Sequence, residues 1–318
     1  MAGLPLFISF STSYADLNWD VLRHTNMSRN NELVAVVTGG SRGIGKGVAR
    51  ALAERGATVY IAGRSQAGGI HTSPGGALLP GTIQEAVEEV NSLGGRGIAV
   101  ACDLSVDEEI RSLFERVRQE SGHLNILVNN AAYLNEKMVV KPFWEAPVEL
   151  ANIIDVGLRC HHVATYYAAP LLIAQRRGLI VNISFYGNAK VHDPAYYASK
   201  AGLDKLAAVY AEHFTPFNVA AISLWPGYVA TERMTQLMAT DPGVKQLKEK
   251  MGFESTELSG RVIRALYDDP NLLTLSGKTI ITAEAAERYG ISDLEGYEPK
   301  SLRGIYGGPH PAFEEESC

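Results

Sequence analysis

Tyr196 and Lys200 are the pair in this sequence whose types and spacing could move a proton. They stand four residues apart in a stretch of helical pattern, 195–214, so they share one helix face. A free tyrosine titrates near pH ~10. A neighbouring ammonium favours the phenolate, so Lys200 is expected to lower the Tyr196 pKa. A phenol so tuned can give or take a proton at a carbonyl or alcohol oxygen. Tyr197 is adjacent but lies three residues from the lysine. The second chemical stretch is Thr38-Gly39-Gly40-Ser41-Arg42-Gly43-Ile44-Gly45. It follows an apolar run at 33–37 and precedes a helical pattern at 48–55 that Gly56 ends. Strand, glycine turn and helix together form a place for a phosphate. The glycines let the backbone turn and approach, and the free N–H groups of the helix point at the anion. Gly40, Gly45 and Lys46 also fit a nucleotide triphosphatase loop. The hydroxyl that such a loop needs for Mg²⁺ is missing, because the next residue is Gly47.

The elements that must position these residues are legible as an alternation. Apolar runs at 33–37, 57–62, 97–102, 124–128, 179–183, 219–224 and 278–281 read as strands. Between them, Thr82 and Glu85 form a capping box that opens a helix to about 93, and Ser105 and Glu108 are expected to cap the next. A long helix is expected over 147–177 and short helices over 231–267. The strands are mostly unbroken β-branched runs, which fits a parallel sheet covered on both faces. The fold class is therefore α/β: a single doubly wound, Rossmann-type domain of about seven strands with helices on both faces. Residues 1–30 read as an N-terminal extension, with Met27 as an alternative start. Residues 31–295 form the catalytic domain. Residues 296–318, rich in Gly, Pro and Glu, are a tail expected at the surface.

Composition narrows the function classes. The chain has 318 residues, 46% hydrophobic and 20% charged, which is ample for a large core. A net charge of −6 without a basic run argues against nucleic acid. Cys102, Cys160 and Cys318 are far apart and fit a reducing compartment. No metal site is expected: His161 and His162 are helix neighbours whose side chains diverge. No run reaches the ~18 apolar residues that a transmembrane segment needs. An intracellular, cytoplasmic protein is expected, with peripheral membrane association an open alternative.

Five motifs occur in order: the Gly39/Gly43/Gly45 turn, Asp103-Leu104, Asn129-Asn130-Ala131, Tyr196-x-x-x-Lys200 and Pro226-Gly227-x-x-x-Thr231. With that order the chain resembles the short-chain dehydrogenase/reductase family over about 33–282. The resemblance implies that Gly39, Ser41, Arg42, Gly43, Ile44 and Gly45 wrap the cofactor phosphates. It further implies that Asp103 and Leu104 meet the adenine and that Asn130 and Ala131 lie along the cofactor. Lys200 would hold the nicotinamide ribose beside Tyr196, and Pro226, Gly227, Val229 and Thr231 would frame the carboxamide. The family's NAD-specific members carry an acidic residue at the end of the second strand. Here that place is Gly63, followed by Arg64; with Arg42 it forms a cationic pair suited to a 2′-phosphate, so NADP(H) is the expected cofactor.

Further stretches, among them Phe143-Trp144-Glu145-x-Pro147, Val156-Gly157-Leu158-Arg159 and Ser223-Leu224-Trp225-Pro226-Gly227, resemble one subgroup of the family. That resemblance implies NADPH-linked reduction of small carbonyl compounds to alcohols, steroid-like or xenobiotic ketones and aldehydes among them. The family resemblance implies a homo-oligomer, a dimer or tetramer paired through the two long helices. Two positions depart from the family. Its serine, about 13 residues before the tyrosine, falls on Ile183. Alignment on Asn182-Ile183 puts Phe185 there, and alignment on Gly187 puts Ser184 there. Ser184, the one suitable hydroxyl nearby, is taken as the third catalytic residue. The family's asparagine, thought to kink the long helix and help hold a proton-relaying water, falls on Gly157. A non-catalytic NADP-binding sensor or scaffold is the rival reading, and an epimerase or dehydratase on the same fold a third.

Several residues have plainer readings beside functional ones. His192 and Asp193 could line a substrate mouth or be solvated turn residues. Trp144, Tyr186, Trp225 and Tyr228 could form an apolar substrate wall or only core. Glu85, Glu88 and Glu89 read as a helix's wet face, and Asn182-Ile183-Ser184 as an unsuitable glycosylation site at a strand end.

Overall fold

The computed structural model of the protein describes residues 32–309, apart from 69–71, 74, 75, 77, 188, 190, 191 and the side chain at 295. The expected extension, 1–30, and the last nine residues lie outside the described residues. Seven strands form one parallel sheet in the order β3-β2-β1-β4-β5-β6-β7. They are β1 (Val34–Thr38), β2 (Thr58–Gly63), β3 (Arg96–Ala101), β4 (Ile126–Asn129), β5 (Gly178–Ile183), β6 (Val219–Trp225) and β7 (Thr279–Ile281). Every residue of β1, β2, β4, β5 and β6 is buried. That is the condition of a sheet covered on both sides, and it explains why these runs show no polar alternation.

Alternate strand residues feed two cores. Val37, Ile61, Val128, Val181 and Leu224 face the layer of α1 (Gly43–Ala53), α2 (Ile83–Ser92) and α9 (Leu258–Asp268). Val36, Tyr60, Leu127, Ile180 and Ala221 face α3 (Asp107–Glu120), α5 (Cys160–Gln175) and α6 (Pro194–Phe214). The second core also holds Cys102 and Cys160, 2% and 0% exposed, whose thiols burial pushes up to about 12. On the first face α1 and α9 cross at glycines. A Cβ at Gly47 would land on the Thr256 carbonyl, and one at Gly260 would lie 2.6 Å from the Ala51 methyl.

Three expectations change. The capping box of Thr82 and Glu85 forms in full at α2. The one expected from Ser105 and Glu108 does not. Ser105 turns its N–H and hydroxyl back to Asp103 Oδ1, at 2.9 and 2.7 Å, and Glu108 pairs outward with Arg111. Val106 stands at the N-cap, and three acidic residues of the first turn offset the helix dipole instead. The long helix over 147–177 is interrupted. A 3₁₀ turn at Val148–Ala151 and one turn of α4 (Asn152–Ile154) lead to a break at Val156 (φ −105°, ψ 65°) and Gly157, and α5 begins at Cys160. The break has a partner: the Val156 carbonyl leaves the helix ladder and accepts the Tyr133 N–H at 2.8 Å.

The third change is at the end of the chain. Beyond β6 come α7 (Glu232–Thr240), α8 (Pro242–Met251) and α9, then after β7 α10 (Thr282–Arg288) and α11 (Arg303–Tyr306). The described part of the tail is exposed or half-buried except at one residue, but it carries a short helix and is anchored there. Leu302 is 4% exposed and packs with Tyr186 and Trp225, and its N–H donates to the Tyr186 hydroxyl. Among the described residues no helix is long and apolar enough to cross a membrane.

Candidate active site

The strand order reverses between β1 and β4, so a crevice opens at their carboxyl ends, the general ligand position of such sheets. The glycine turn follows β1 directly. Gly39 and Gly43 have φ of 65° and 55°, where a side chain is strained. A Cβ at Gly39 would come within 2.8 Å of Ala131 Cα, and one at Gly45 would meet the Gly39 carbonyl and Asn130 Nδ2. The glycines are therefore needed for the turn to close on β4. Thr38 fastens that closure. Its hydroxyl oxygen accepts the N–H groups of Asn130 and Ala131 at 3.0 and 3.2 Å, while Asn130 Nδ2 donates to the Thr38 and Gly39 carbonyls. Ile44, half-buried, packs against the core under α1, and Ser41 is buried beside Gly63.

The two arginines are near one another but differently engaged. Arg42 donates to Pro80 O at 2.9 Å and to Ser65 Oγ and Gly81 O at 2.7 Å, so it ties down the 65–81 connection. Burial lowers its pKa; Glu232 opposes that, and Arg233 and Arg64 add to it. Arg64 is exposed and reaches Asp103 at 3.7 Å. Asp103 is held below the usual carboxylate range against the opposing pull of burial, through Ser105 and then Arg64. Leu104 is 5% exposed and belongs to the core.

The site's far side is built by the Pro226-Gly227 turn after β6. Gly227 N–H donates to Glu254 Oε1 at 2.9 Å, and Val229 bridges Glu254 in parallel. Pro226 is buried at the end of the strand. Thr231 caps α7, accepting Met234 N–H, and its methyl faces Gly43, where a Cβ would lie 3.3 Å away. The following Glu232 crosses to the glycine turn: its Oε2 accepts Gly43 N–H at 2.8 Å, with Lys46 at 3.4 Å from the other oxygen. Glu89, read from sequence as wet, completes this group with Lys46 at 3.2 Å and Arg50 at 2.7 Å.

Tyr196 and Lys200 share a face of α6 as their spacing requires. Lys200 is 7% exposed, donates to Ile183 O at the end of β5 at 2.9 Å, and lies 5.5 Å from the Tyr196 ring centre. Burial pulls the Lys200 ammonium down to about 8, with Asp204 one turn on opposing. Tyr196 is half-buried. Its apolar surroundings raise its pKa above the ordinary tyrosine value, followed by Tyr197 and Tyr228. This reverses the lowering expected from the sequence. The physical reason is that burial of the phenol penalises the phenolate, with Tyr197 and Tyr228 adding to it. Ser184 is not turned toward the phenol. It is 3% exposed, its hydroxyl donates to Lys200 O at 3.0 Å, and it also meets the Asp204 carboxylate. The ring of Phe185 stands beside Tyr196 instead, with centres 6.4 Å apart.

Behind the pair, His161 Nε2 bonds Ala131 O at 2.9 Å, and burial followed by Lys200 drives its pKa to about 3. It is a core histidine linking the glycine turn's support to α5. His162 points away, to the Tyr210 hydroxyl at 2.7 Å. Of the four aromatics read as substrate wall or core, Tyr186 and Trp225 are buried in a core cluster against which Tyr228 packs, whereas Trp144 is 73% exposed and meets Phe143. Asn182 is buried and bonded to Asn129 and to Leu203 O, which removes it as a glycan acceptor. Sequence reasoning missed Glu232 and Glu254. The first is signalled only as an acidic first-turn residue of α7. The second lies 27 positions from the glycine it serves and carries no local signal.

These residues fit a nicotinamide dinucleotide. The glycine turn opens a helix at the switch point. A Cβ at Gly63 would already lie 3.2 Å from Ile83 Cγ2, leaving little room for a carboxylate there, and a buried lysine and a phenol stand at the next strand end. The fold and this site define an oxidoreductase of the doubly wound class. The family model for short chain dehydrogenase matches residues 33–242, and the chain belongs to that family, whose members bind a nicotinamide cofactor. Over 279 residues it is 42% identical to dehydrogenase/reductase SDR family member 1 of Homo sapiens, covering 84% of each chain, and it is 41% identical to the Mus musculus counterpart over 83% of each. It is also 30% identical to 2-dehydro-3-deoxy-D-gluconate 5-dehydrogenase of Escherichia coli, over 80% of this chain and 90% of the other. A crystal structure of a short chain dehydrogenase from Mycobacterium thermoresistibile shares the fold, with a TM-score of 0.69 at 22% identity over 84% of this chain and 90% of that one.

Proposed function

We infer that the protein is an NADP(H)-dependent reductase of small carbonyl compounds. The observation that carries this reading is the Tyr196–Lys200 pair at the end of β5. A phenol that stays protonated at neutral pH stands 5.5 Å from a buried lysine, on the same sheet edge as the glycine turn. Bound NADPH would supply a hydride to the carbonyl carbon. Tyr196 would give its proton to the carbonyl oxygen, completing the alcohol, and take another from solvent. Lys200 would hold the ribose and keep positive charge beside the phenol. Arg42 and Arg64 would receive the 2′-phosphate; burial and mutual repulsion already destabilise the Arg42 charge, and a phosphate would relieve both.

Two measurements test the reading. NADPH should bind at least about 10-fold more tightly than NADH, or 1.4 kcal/mol; equal dissociation constants overturn the cofactor assignment. NADPH should be oxidised in the presence of a dicarbonyl test substrate. Tyr196→Phe should cut turnover at least ~100-fold with NADPH affinity unchanged, and Tyr197→Phe far less. Wild-type protein that binds NADPH and reduces nothing in a broad carbonyl panel would instead be the sensor or scaffold.

A further inference from the structure

Reduction of a carbonyl places negative charge on its oxygen, and a second hydrogen-bond donor beside the acid stabilises that charge. The hydroxyl chosen from sequence for this task is spent: Ser184 Oγ serves Lys200 O and Asp204 from a buried position. Around the Tyr196 ring stand Phe185, Tyr197 and His192, with ring centres 6.4, 5.4 and 4.9 Å away. Phe185 has no polar atom. His192 has the shortest of the three separations and meets the phenol edge to face, at 71°. Its Nδ1 is buried and without a hydrogen-bond partner among the described residues. An unpaired buried polar atom costs roughly 1–3 kcal/mol, so its persistence wants a ligand or another explanation.

The backbone fixes His192 against Tyr196. The next residue, Asp193, is the N-cap of α6: its Oδ1 accepts Ala195 N–H at 2.8 Å, and its carbonyl accepts Tyr196 N–H at 3.0 Å. The imidazole is thus joined to the same helix start that aims the phenol. Its other ring contact is Tyr197, stacked at 6.3 Å. Burial lowers the His192 pKa, which keeps the ring neutral, with one N–H to give.

We propose that His192 is a catalytic residue of this site, donating from its ring the second hydrogen bond to the carbonyl oxygen that Tyr196 protonates. The assignment rests on the reductase reading above. In this protein the histidine takes the task expected of Ser184, with the Phe185 ring beside the phenol.

The test compares three variants with wild type for NADPH affinity, melting temperature, and kcat and KM on the dicarbonyl substrate. His192→Phe keeps a flat ring and removes the donor; it should lower kcat/KM by roughly 100-fold or more, as loss of one such donor does, with NADPH affinity unchanged. His192→Gln restores an N–H and should recover most of that loss. Ser184→Ala, which removes a bond to the Lys200 carbonyl rather than a donor at the substrate, should cost less in kcat/KM than His192→Phe. The assignment is overturned if His192→Phe is as active as wild type, if His192→Gln fails to rescue a folded protein, or if Ser184→Ala carries the loss. Should His192→Phe not fold, labelled histidine decides. The His192 ring-nitrogen resonance, assigned by its absence in His192→Gln, should move when NADP⁺ and the ketone form a dead-end complex, and a stationary resonance overturns the assignment. Failure of wild type itself to oxidise NADPH with any carbonyl would fall on the reductase reading, and this assignment would go with it.

Discussion

Lys200 is a cation kept in an environment that resists cations, and that sets a pH limit. Burial holds its pKa near 8 rather than 10.5. Between those values the unfolded chain binds the proton and the native protein does not, so this group makes the protein more stable as pH rises through the window. Function runs the other way. Below 8 the ammonium is present beside the phenol and is available to a ribose hydroxyl; above it the charge is lost. The expected outcome is that kcat/KM for NADPH, which reports on the free enzyme, falls as pH rises through about 8. Lys200→Arg keeps the charge and should move that limb to higher pH, at whatever level of activity it retains. A limb unmoved in the variant would assign the titration to another group. At this scale the sequence could find Tyr196 and Lys200, because helical spacing alone puts them together. It could not foresee the sign of the Tyr196 shift, because burial of the phenol is set by the tertiary fold and the further contribution of Tyr228 comes from a different element.

At the scale of elements, the interruption of the long helix at Gly157 is the feature with a chemical consequence. A Cβ there would lie 3.1 Å from Ser199 Oγ, which is itself buried and, among the described residues, without a hydrogen-bond partner. The serine hydroxyl can rotate away, so Gly157→Asn is accommodated, and the new amide gains a partner in Ser199. The break does not depend on the residue type at 157 alone, because the Val156 carbonyl is held by Tyr133 N–H. Gly157→Asn should therefore change turnover by less than ~10-fold, under about 1.4 kcal/mol of barrier. Activity that appears only in the variant would contradict the reductase reading. Strands were legible within a residue or two because most of them are apolar runs buried on both faces. The capping box at Thr82 was legible because it is local. The Ser105 cap failed because Asp103 competes for the same serine, and the continuous helix failed because its interruption is fixed by a residue 23 positions away in sequence, Tyr133.

Across the whole molecule, the segment after β7 completes the apolar cluster of Tyr186, Trp225 and Tyr228. Tyr306 gives or takes a hydrogen bond with Tyr228 at 2.6 Å, Leu302 packs on Tyr186, and Asp293 holds Ser255 next to Glu254. Nothing in the Gly- and Pro-rich composition of 296–318 announces this, since a few anchoring side chains are enough. Glu254 is the weak point of the arrangement. Burial, then Asp293, raises its pKa from 4.5 to about 8, against the pull of Gly227 N–H. The native protein therefore holds a proton that the unfolded chain gives up, and stability falls as pH rises from 4.5 to about 8. Glu254→Gln keeps the acceptor for Gly227 and cannot ionise. Its melting temperature should match wild type near pH 5 and exceed it near pH 8, which thermal unfolding in a pH series reads directly. Parallel curves for the two proteins would remove Glu254 from the account.

The two thiols of the second core give the molecule a chemical clock. Cys102 follows β3 and Cys160 starts α5, just after the break at Gly157, and both are closed to solvent with thiols that stay protonated. An alkylating reagent can reach either sulfur only when that layer opens, so the rate at which each is tagged counts openings of the sheet edge and of the interrupted helix separately. Any ligand seated against Tyr196 and Lys200 has to slow the Cys160 clock if it steadies α5, and it can leave the Cys102 clock running.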